Sequence, residues 1–194
     1  MKLIEIKGSK KHQVVNIDKK GRYVVFFYNY SGEVEVNLKA KGAEVDILGV
    51  YIGKGSANFS LKTQQNHIVS DTYSDLLVKG VFFDKSKFLY EGLIKIEKGA
   101  QRSHAYQKNQ NLTLSETVYV ESRPFLEIQA NDVFCTHGST TGGLNSEEIY
   151  YLNTRGLTQK QAKQLLIEGF INEVFDKQKP VLDKFKEKIL NKIS

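Results

Sequence analysis

Glu33-Val34-Glu35-Val36-Asn37-Leu38 is followed, after a short polar break at Lys39-Ala40-Lys41-Gly42, by Ala43-Glu44-Val45-Asp46-Ile47-Leu48-Gly49-Val50-Tyr51. Both runs alternate apolar and polar residues. A strand points successive side chains to opposite faces, so this period reads as two half-buried strands. The same period recurs at Ala57-Asn58-Phe59-Ser60-Leu61, Lys87 to Ile96, Asn111 to Leu114, Val118 to Val120 and Phe125 to Ile128. Glycines at 32, 42, 49, 53, 55, 80, 92 and 99 punctuate these runs, and Gly42-Ala43 and Gly99-Ala100 each open a new one. The spacing suits a sandwich, a barrel or a β-solenoid. The chain contains no Asn-Gly or Asp-Gly pair, the strongest two-residue hairpin marks, and this favours winding over hairpins. Phe83 to Phe88 reads as a wider turn.

After residue 144 the period becomes helical. Ser146 is expected to cap a short helix through Glu147, Glu148 and Ile149. Thr158-Gln159-Lys160-Gln161 has the form of a capping box. Ala162, Leu165, Leu166, Gly169, Phe170 and Val174 then form an apolar stripe. Pro180 fits the first turn of a last helix, with Leu182, Phe185, Ile189 and Ile193 as its apolar face. This stripe suits docking on the chain's own β body or on a partner protein. The boundaries expected are a β body over 1–143 and a helical segment over 144–194.

The 194 residues carry 40% hydrophobic and 26% charged side chains, a globular composition that excludes wholesale disorder. A single cysteine, Cys135, excludes an intramolecular disulfide and points to a reducing compartment. No apolar run approaches the length of a membrane helix, and no signal-peptide pattern follows Met1. A cytoplasmic protein without a membrane partner is the expectation. The net charge of +6 sits at the two ends. Residues 1–20 hold six Lys against Glu5 and Asp18, and residues 177–194 hold six Lys against Asp183 and Glu187. With few Arg and no basic face interleaved with aromatics, nucleic acid is not the expected partner.

Nucleotide and hydrolase signatures are missing from the sequence. Gly53-Lys54-Gly55-Ser56 lacks phosphate-loop spacing and opens no helix, so it reads as a turn. Gly138-Ser139-Thr140-Thr141-Gly142-Gly143 has no nucleophile elbow. The distinctive stretch is Asn131-Asp132-Val133-Phe134-Cys135-Thr136-His137-Gly138. On a strand, Cys135 and His137 share a face, about 7 Å apart at the backbone. A thiolate and an imidazole so placed suit iron or zinc, but a metal site needs three or four ligands. His104 is the best internal candidate for another; His12 and His67, in polar contexts, read as surface residues. Cys135 also reads as a small buried hydrophobe.

From about residue 90 to 175 the chain resembles the SufB/SufD family, the scaffold subunits of the SUF iron–sulfur cluster assembly machinery. The resemblance rests on Tyr90-Glu91-Gly92-Leu93-Ile94-Lys95-Ile96, Gly99-Ala100, Gln107-x-Asn109-x-Asn111-Leu112 and Pro124-Phe125-Leu126-Glu127-Ile128. It continues through Asp132-Val133-Phe134-Cys135-Thr136-His137-Gly138, Ile149-Tyr150-Tyr151-Leu152-x-x-Arg155-Gly156-Leu157, and the helix with Ala162, Gly169-Phe170 and Glu173-Val174. It implies a mainly β fold, a right-handed parallel β-helix (β-solenoid) followed by C-terminal helices. It further implies dimerisation through the β-helix with a SufB-like partner or a second copy, and helices that dock the ABC-type ATPase SufC.

Within the family the chain is closer to SufD. The SufB type of the family has a cysteine near the position of Asn111 and Glu-His-Glu where this chain has Thr136-His137-Gly138, and Cys-Ser/Thr-His-Gly is the SufD form. His137 matches the SufD histidine implicated in cluster formation at the SufB–SufD interface, and Cys135 matches the neighbouring cysteine. Family members run well over twice this length, so the chain reads as a minimal version or a fragment. The function implied is that of a non-catalytic scaffold holding a transient iron–sulfur cluster through His137 and Cys135. The alternatives are a β-fold zinc or iron enzyme using Cys135, His137 and His104, and a purely structural β-helix subunit.

Overall fold

The computed structural model describes residues 1–8 and 11–193. Eleven strands come first: β1 (Lys2–Ile6), β2 (His12–Ile17), β3 (Gly21–Tyr28), β4 (Gly32–Leu38), β5 (Ala43–Gly53), β6 (Asn58–His67), β7 (Tyr73–Phe82), β8 (Lys87–Ile96), β9 (Ser103–Thr113), β10 (Tyr119–Ile128) and β11 (Val133–Gly142). Three helices follow: α1 (Ser146–Thr154), α2 (Gln159–Asp176) and α3 (Asp183–Leu190). Odd strands form one sheet in the order β1-β3-β5-β7-β9-β11, and even strands form the other in the order β10-β8-β6-β4-β2. Every pairing is parallel. Among the described residues consecutive strands do not pair; each turn of chain gives one strand to each sheet. Of the three architectures compatible with the strand spacing, this is the β-solenoid.

Register stacks like side chains into columns along the winding. Val25, Ile47 and Leu76 lie in line on the inner face of the odd sheet. With Phe27, Val34, Val36, Tyr51, Phe82 and Phe88 they fill the space between the sheets. Burying each of these larger side chains contributes about 1.5–3 kcal/mol. Gly49 is required at its place, because a Cβ there would collide with the Phe27 ring.

The interior changes character along the axis. Its early coils are aliphatic and aromatic; later inward positions hold Thr63, Gln65, His67, Ser74, Ser103, Gln107, Asn109 and Asn111, all buried. His67, expected on the surface, is fully buried. Its ring reaches Thr72 Oγ1 at 2.7 Å and Ser74 Oγ at 2.8 Å, and Thr72 Oγ1 reaches Ser103 Oγ at 2.8 Å. These hydroxyls replace the water that burial removed. His12 does lie at the surface, beside Glu35 at 3.2 Å.

A second core lies outside the odd sheet. Val24, Phe26, Leu48, Val50, Ile52, Leu77 and Val81 pack against Ile167, Ile171, Val174, Phe175, Leu182, Ile189 and Ile193. Strands β3, β5 and β7 are therefore buried on both faces. The Leu182–Ile193 stripe docks on the chain's own body, with Phe185 stacked on Phe26 at 4.7 Å between centroids. Lys79 is buried beneath α2, paired with Glu173 and 4.1 Å from the Phe170 ring centroid.

Three helix details differ from expectation. Asn145 caps α1, its side chain accepting from the Glu147 N–H at 2.9 Å, because it stands one residue ahead of the first helical turn. The buried face of α2 is Ala162, Ile167, Ile171, Val174 and Phe175, which leaves Leu165 exposed. Pro180 lies in the turn before α3, which starts at Asp183. The capping box at Thr158 and Gln161 forms as expected. Among the described residues no helix is long and apolar enough to cross a membrane.

Candidate functional site

Among the described residues strand β11 is an outermost strand of the odd sheet, paired with β9 alone. Its register places Cys135 over Ala105, His137 over Gln107, Ser139 over Asn109 and Thr141 over Asn111. Because the β9 residues of these pairs are buried, Cys135, His137, Ser139 and Thr141 face inward as well. No further coil covers them among the described residues, and His137 is exposed to solvent at the open end.

Opposite stands β10, the outermost strand of the even sheet. Its inward residues Leu126 and Ile128, stacked over Ile94 and Ile96, are 39% and 41% exposed. Pro124 lies on this strand too, an edge position that tolerates a missing N–H. The last coil is thus an open mouth, with donors on one lip and apolar side chains on the other.

Cys135 is half-buried against a small cluster that includes Ile94, Ile96, Ala105 and Ala130. Burial pushes its thiol up to about 11, so at neutral pH it is protonated. Binding a metal requires the thiolate, and loading Cys135 would release that proton. It packs as a small hydrophobe and stands two residues from His137 on the same face.

His104 does not join them. It lies on the outer face of the odd sheet, stacked on Phe134 at 4.9 Å between centroids. Among the described residues no group of three or more His, Cys, Asp or Glu side chains is arranged to hold a metal. The three-residue set Cys135, His137 and His104 of a single-chain metalloenzyme is therefore not assembled, because residues of opposite parity on paired strands point to opposite faces. What remains together is the Cys135–His137 pair.

The inner layer under β11 is mostly amide. Asn109 Nδ2 donates to the Val78 carbonyl at 3.2 Å, and Asn111 Nδ2 donates to Asn109 Oδ1 at 2.8 Å and to Thr141 Oγ1 at 3.4 Å. Sequence reasoning did not place these residues at the site. The available signal was their spacing, since Gln107, Asn109 and Asn111 share the parity of Ser103 and Ala105.

The fold is a parallel β-solenoid with helices packed on one sheet and a Cys-x-His pair at its open end. The chain belongs to the family described as SUF system FeS cluster assembly, SufBD core domain, whose model matches residues 12–170. It is 32% identical over 142 residues to the iron-sulfur cluster assembly protein SufD of Bacillus subtilis, covering 73% of this chain and 32% of that protein. It is 37% identical over 98 residues to SufD of Escherichia coli, covering 50% and 23%. A SufBD family protein of Synechocystis is 34% identical over 119 residues, covering 56% and 26%. The chain spans about a third or less of the length of these relatives.

Proposed function

We propose that this chain is a SufD-like, non-catalytic scaffold subunit of a cytoplasmic SUF complex, holding a nascent iron–sulfur cluster at a dimer interface. The observation that carries the reading is the position of His137 and Cys135, inward-facing yet uncovered, on a strand with one unpaired edge. Two donors are too few for a cluster, so the remaining ligands come from a second chain, a SufB-like partner or another copy. An unpaired strand edge is also a ready template for pairing with that chain.

The β body over 1–143 carries the cluster end, and the helical segment over 144–194 docks the SufC-type ATPase. Support for this division comes from α1, which buries none of its residues and exposes Tyr150 and Tyr151 at 71% and 56%. Leu165 on the neighbouring helix is exposed as well. Adjacent exposed aromatics of this kind suit a protein interface. The cluster is cargo, and hydrolysis of ATP belongs to the partner.

The test is anaerobic affinity purification on the full chain, with identification of co-eluting proteins and assay of iron and sulfide. Recovery of an ABC-type ATPase and a second β-helix subunit, with iron lost in His137→Ala but partners retained, is the expected result. Wild-type iron in the doubly substituted Cys135→Ala/His137→Ala protein would leave only a structural role.

A further inference from the structure

Two sequence blocks not yet assigned a role meet inside the solenoid. Gly92 lies on the inner face of β8, in the even sheet, and Gln107 on the inner face of β9, in the odd sheet. Gln107 crosses the interior and donates from Nε2 to the Gly92 carbonyl at 3.2 Å. Gln65 Nε2 reaches Gln107 Oε1 at 3.5 Å from the even sheet. Gly92 has a steric reason to be glycine. A Cβ there would lie 2.5 Å from Gln107 Nε2 and 2.6 Å from its Cδ, and would strike the Tyr90 hydroxyl.

The level of this crossing matters. Gln107 is the register partner of His137, one strand below it, and is 3% exposed. Gly92 is likewise the register partner of Pro124, on the opposite lip. The strut therefore spans the lumen directly beneath the open mouth. Alongside it, Asn109 and Asn111 underlie Ser139 and Thr141.

We infer that Gln107 is a positioning residue that floors this site: lying across the lumen onto Gly92, it keeps a cluster held by His137 at the mouth and out of the interior. This rests on the reading of His137 as a cluster donor. The floor is polar and made of neutral amides, so it hydrogen-bonds without adding charge beneath the cargo. It is also rigid, because each end of the strut is fixed to a different sheet.

The experiment uses the complex purified anaerobically through the full chain, together with the iron-free chain for NMR. Gln107→Ala, and Gly92→Ala from the other end of the strut, are each expected to lower bound iron and sulfide about ten-fold, as loss of supporting residues does at metal sites. They should also alter the visible circular dichroism of the remaining cluster and shift the His137 ring resonances in the iron-free chain. Gln107→Met, which refills the volume but cannot donate to the Gly92 carbonyl, should stay as low in iron as Gln107→Ala, and wild-type iron in it would overturn the strut. Wild-type iron, dichroism and ring resonances in Gln107→Ala, with His137→Ala empty, would overturn the floor and leave His137 as donor. Wild-type iron in His137→Ala would overturn the donor reading and the floor with it. If Gln107→Ala does not fold, Gln107→Leu, apolar and shorter in reach, takes its place with the same two outcomes.

Discussion

His67 Nε2 lies 2.8 Å from Ser74 Oγ, a contact that ties the end of β6 in one sheet to the start of β7 in the other. The ring is fully buried, and its other nitrogen is taken by Thr72. Burial lowers its pKa to about 4 from 6.5, with His104 adding to the shift. The folded state thus holds His67 neutral where the unfolded chain would protonate it. Its contribution to stability is full above about pH 6.5 and is lost as pH falls toward about 4, by about 3 kcal/mol. Unfolding midpoints measured from pH 7 to pH 4 should fall less steeply in His67→Gln than in the wild type.

The Cys135 thiol, raised to about 11 by burial, should alkylate slowly at pH 7.5. Its rate with iodoacetamide should keep rising about ten-fold per pH unit past pH 9, where an ordinary thiol has levelled off. A plateau near pH 9 would place the thiol in water.

Packing inside the early coils leaves no room at Gly49, so Gly49→Ala should cost about 1–3 kcal/mol through displacement of the Phe27 ring. Gly99→Ala meets nothing within 4 Å and should stay within about 0.5 kcal/mol of wild type. Denaturant midpoints of the two variants provide the comparison.

Glu173 is the carboxylate that faces the buried Lys79, with Lys108 at 3.6 Å on its solvent side. Burial lowers the Lys79 pKa, and Glu173 opposes that shift. Glu173→Ala leaves an ammonium in an apolar site and should destabilise by about 1–3 kcal/mol. Glu173 is half exposed, which places the loss below the range for a fully buried pair. Lys79→Met combined with Glu173→Ala should recover most of the loss, as read in a double-mutant cycle.

Tyr150→Ala with Tyr151→Ala should leave thermal unfolding nearly unchanged, since α1 buries neither residue. If the helical segment docks the proposed SufC-type ATPase, the same variant should lose it from the purified complex. Retention of the ATPase at wild-type yield would move its docking surface elsewhere.

The alternating runs are plainest where one face is wet. Strands β4 and β8 alternate for that reason. Strand β7 did not announce itself, because Leu76-Leu77-Val78 is buried both in the lumen and beneath α2. A strand covered on both faces loses its period of two. The interior of β9 was hidden for the opposite reason. Its inward Gln107, Asn109 and Asn111 are polar; Gln107 and Asn109 donate to the Gly92 and Val78 carbonyls of strands distant in sequence, and Asn111 donates to Asn109 along the same strand. His67 was misplaced likewise, since its polar neighbours are the partners that allow it to be buried. The Cys135–His137 pair was legible because parity along one strand fixes it. The exclusion of His104 depends on inter-strand register, which local spacing does not encode.

The passage from an aliphatic interior to an amide and hydroxyl one has an energetic direction. In a stack where each coil touches only its neighbours, cohesion is a sum of local terms, and it is smallest where apolar burial is least. Amide hydrogen exchange should therefore slow from the donor-bearing mouth toward the aromatic coils around Tyr51. The molecule would fray first at the mouth that carries Cys135 and His137, and a subunit closing that mouth, as proposed, would act as a splint as well as a source of ligands.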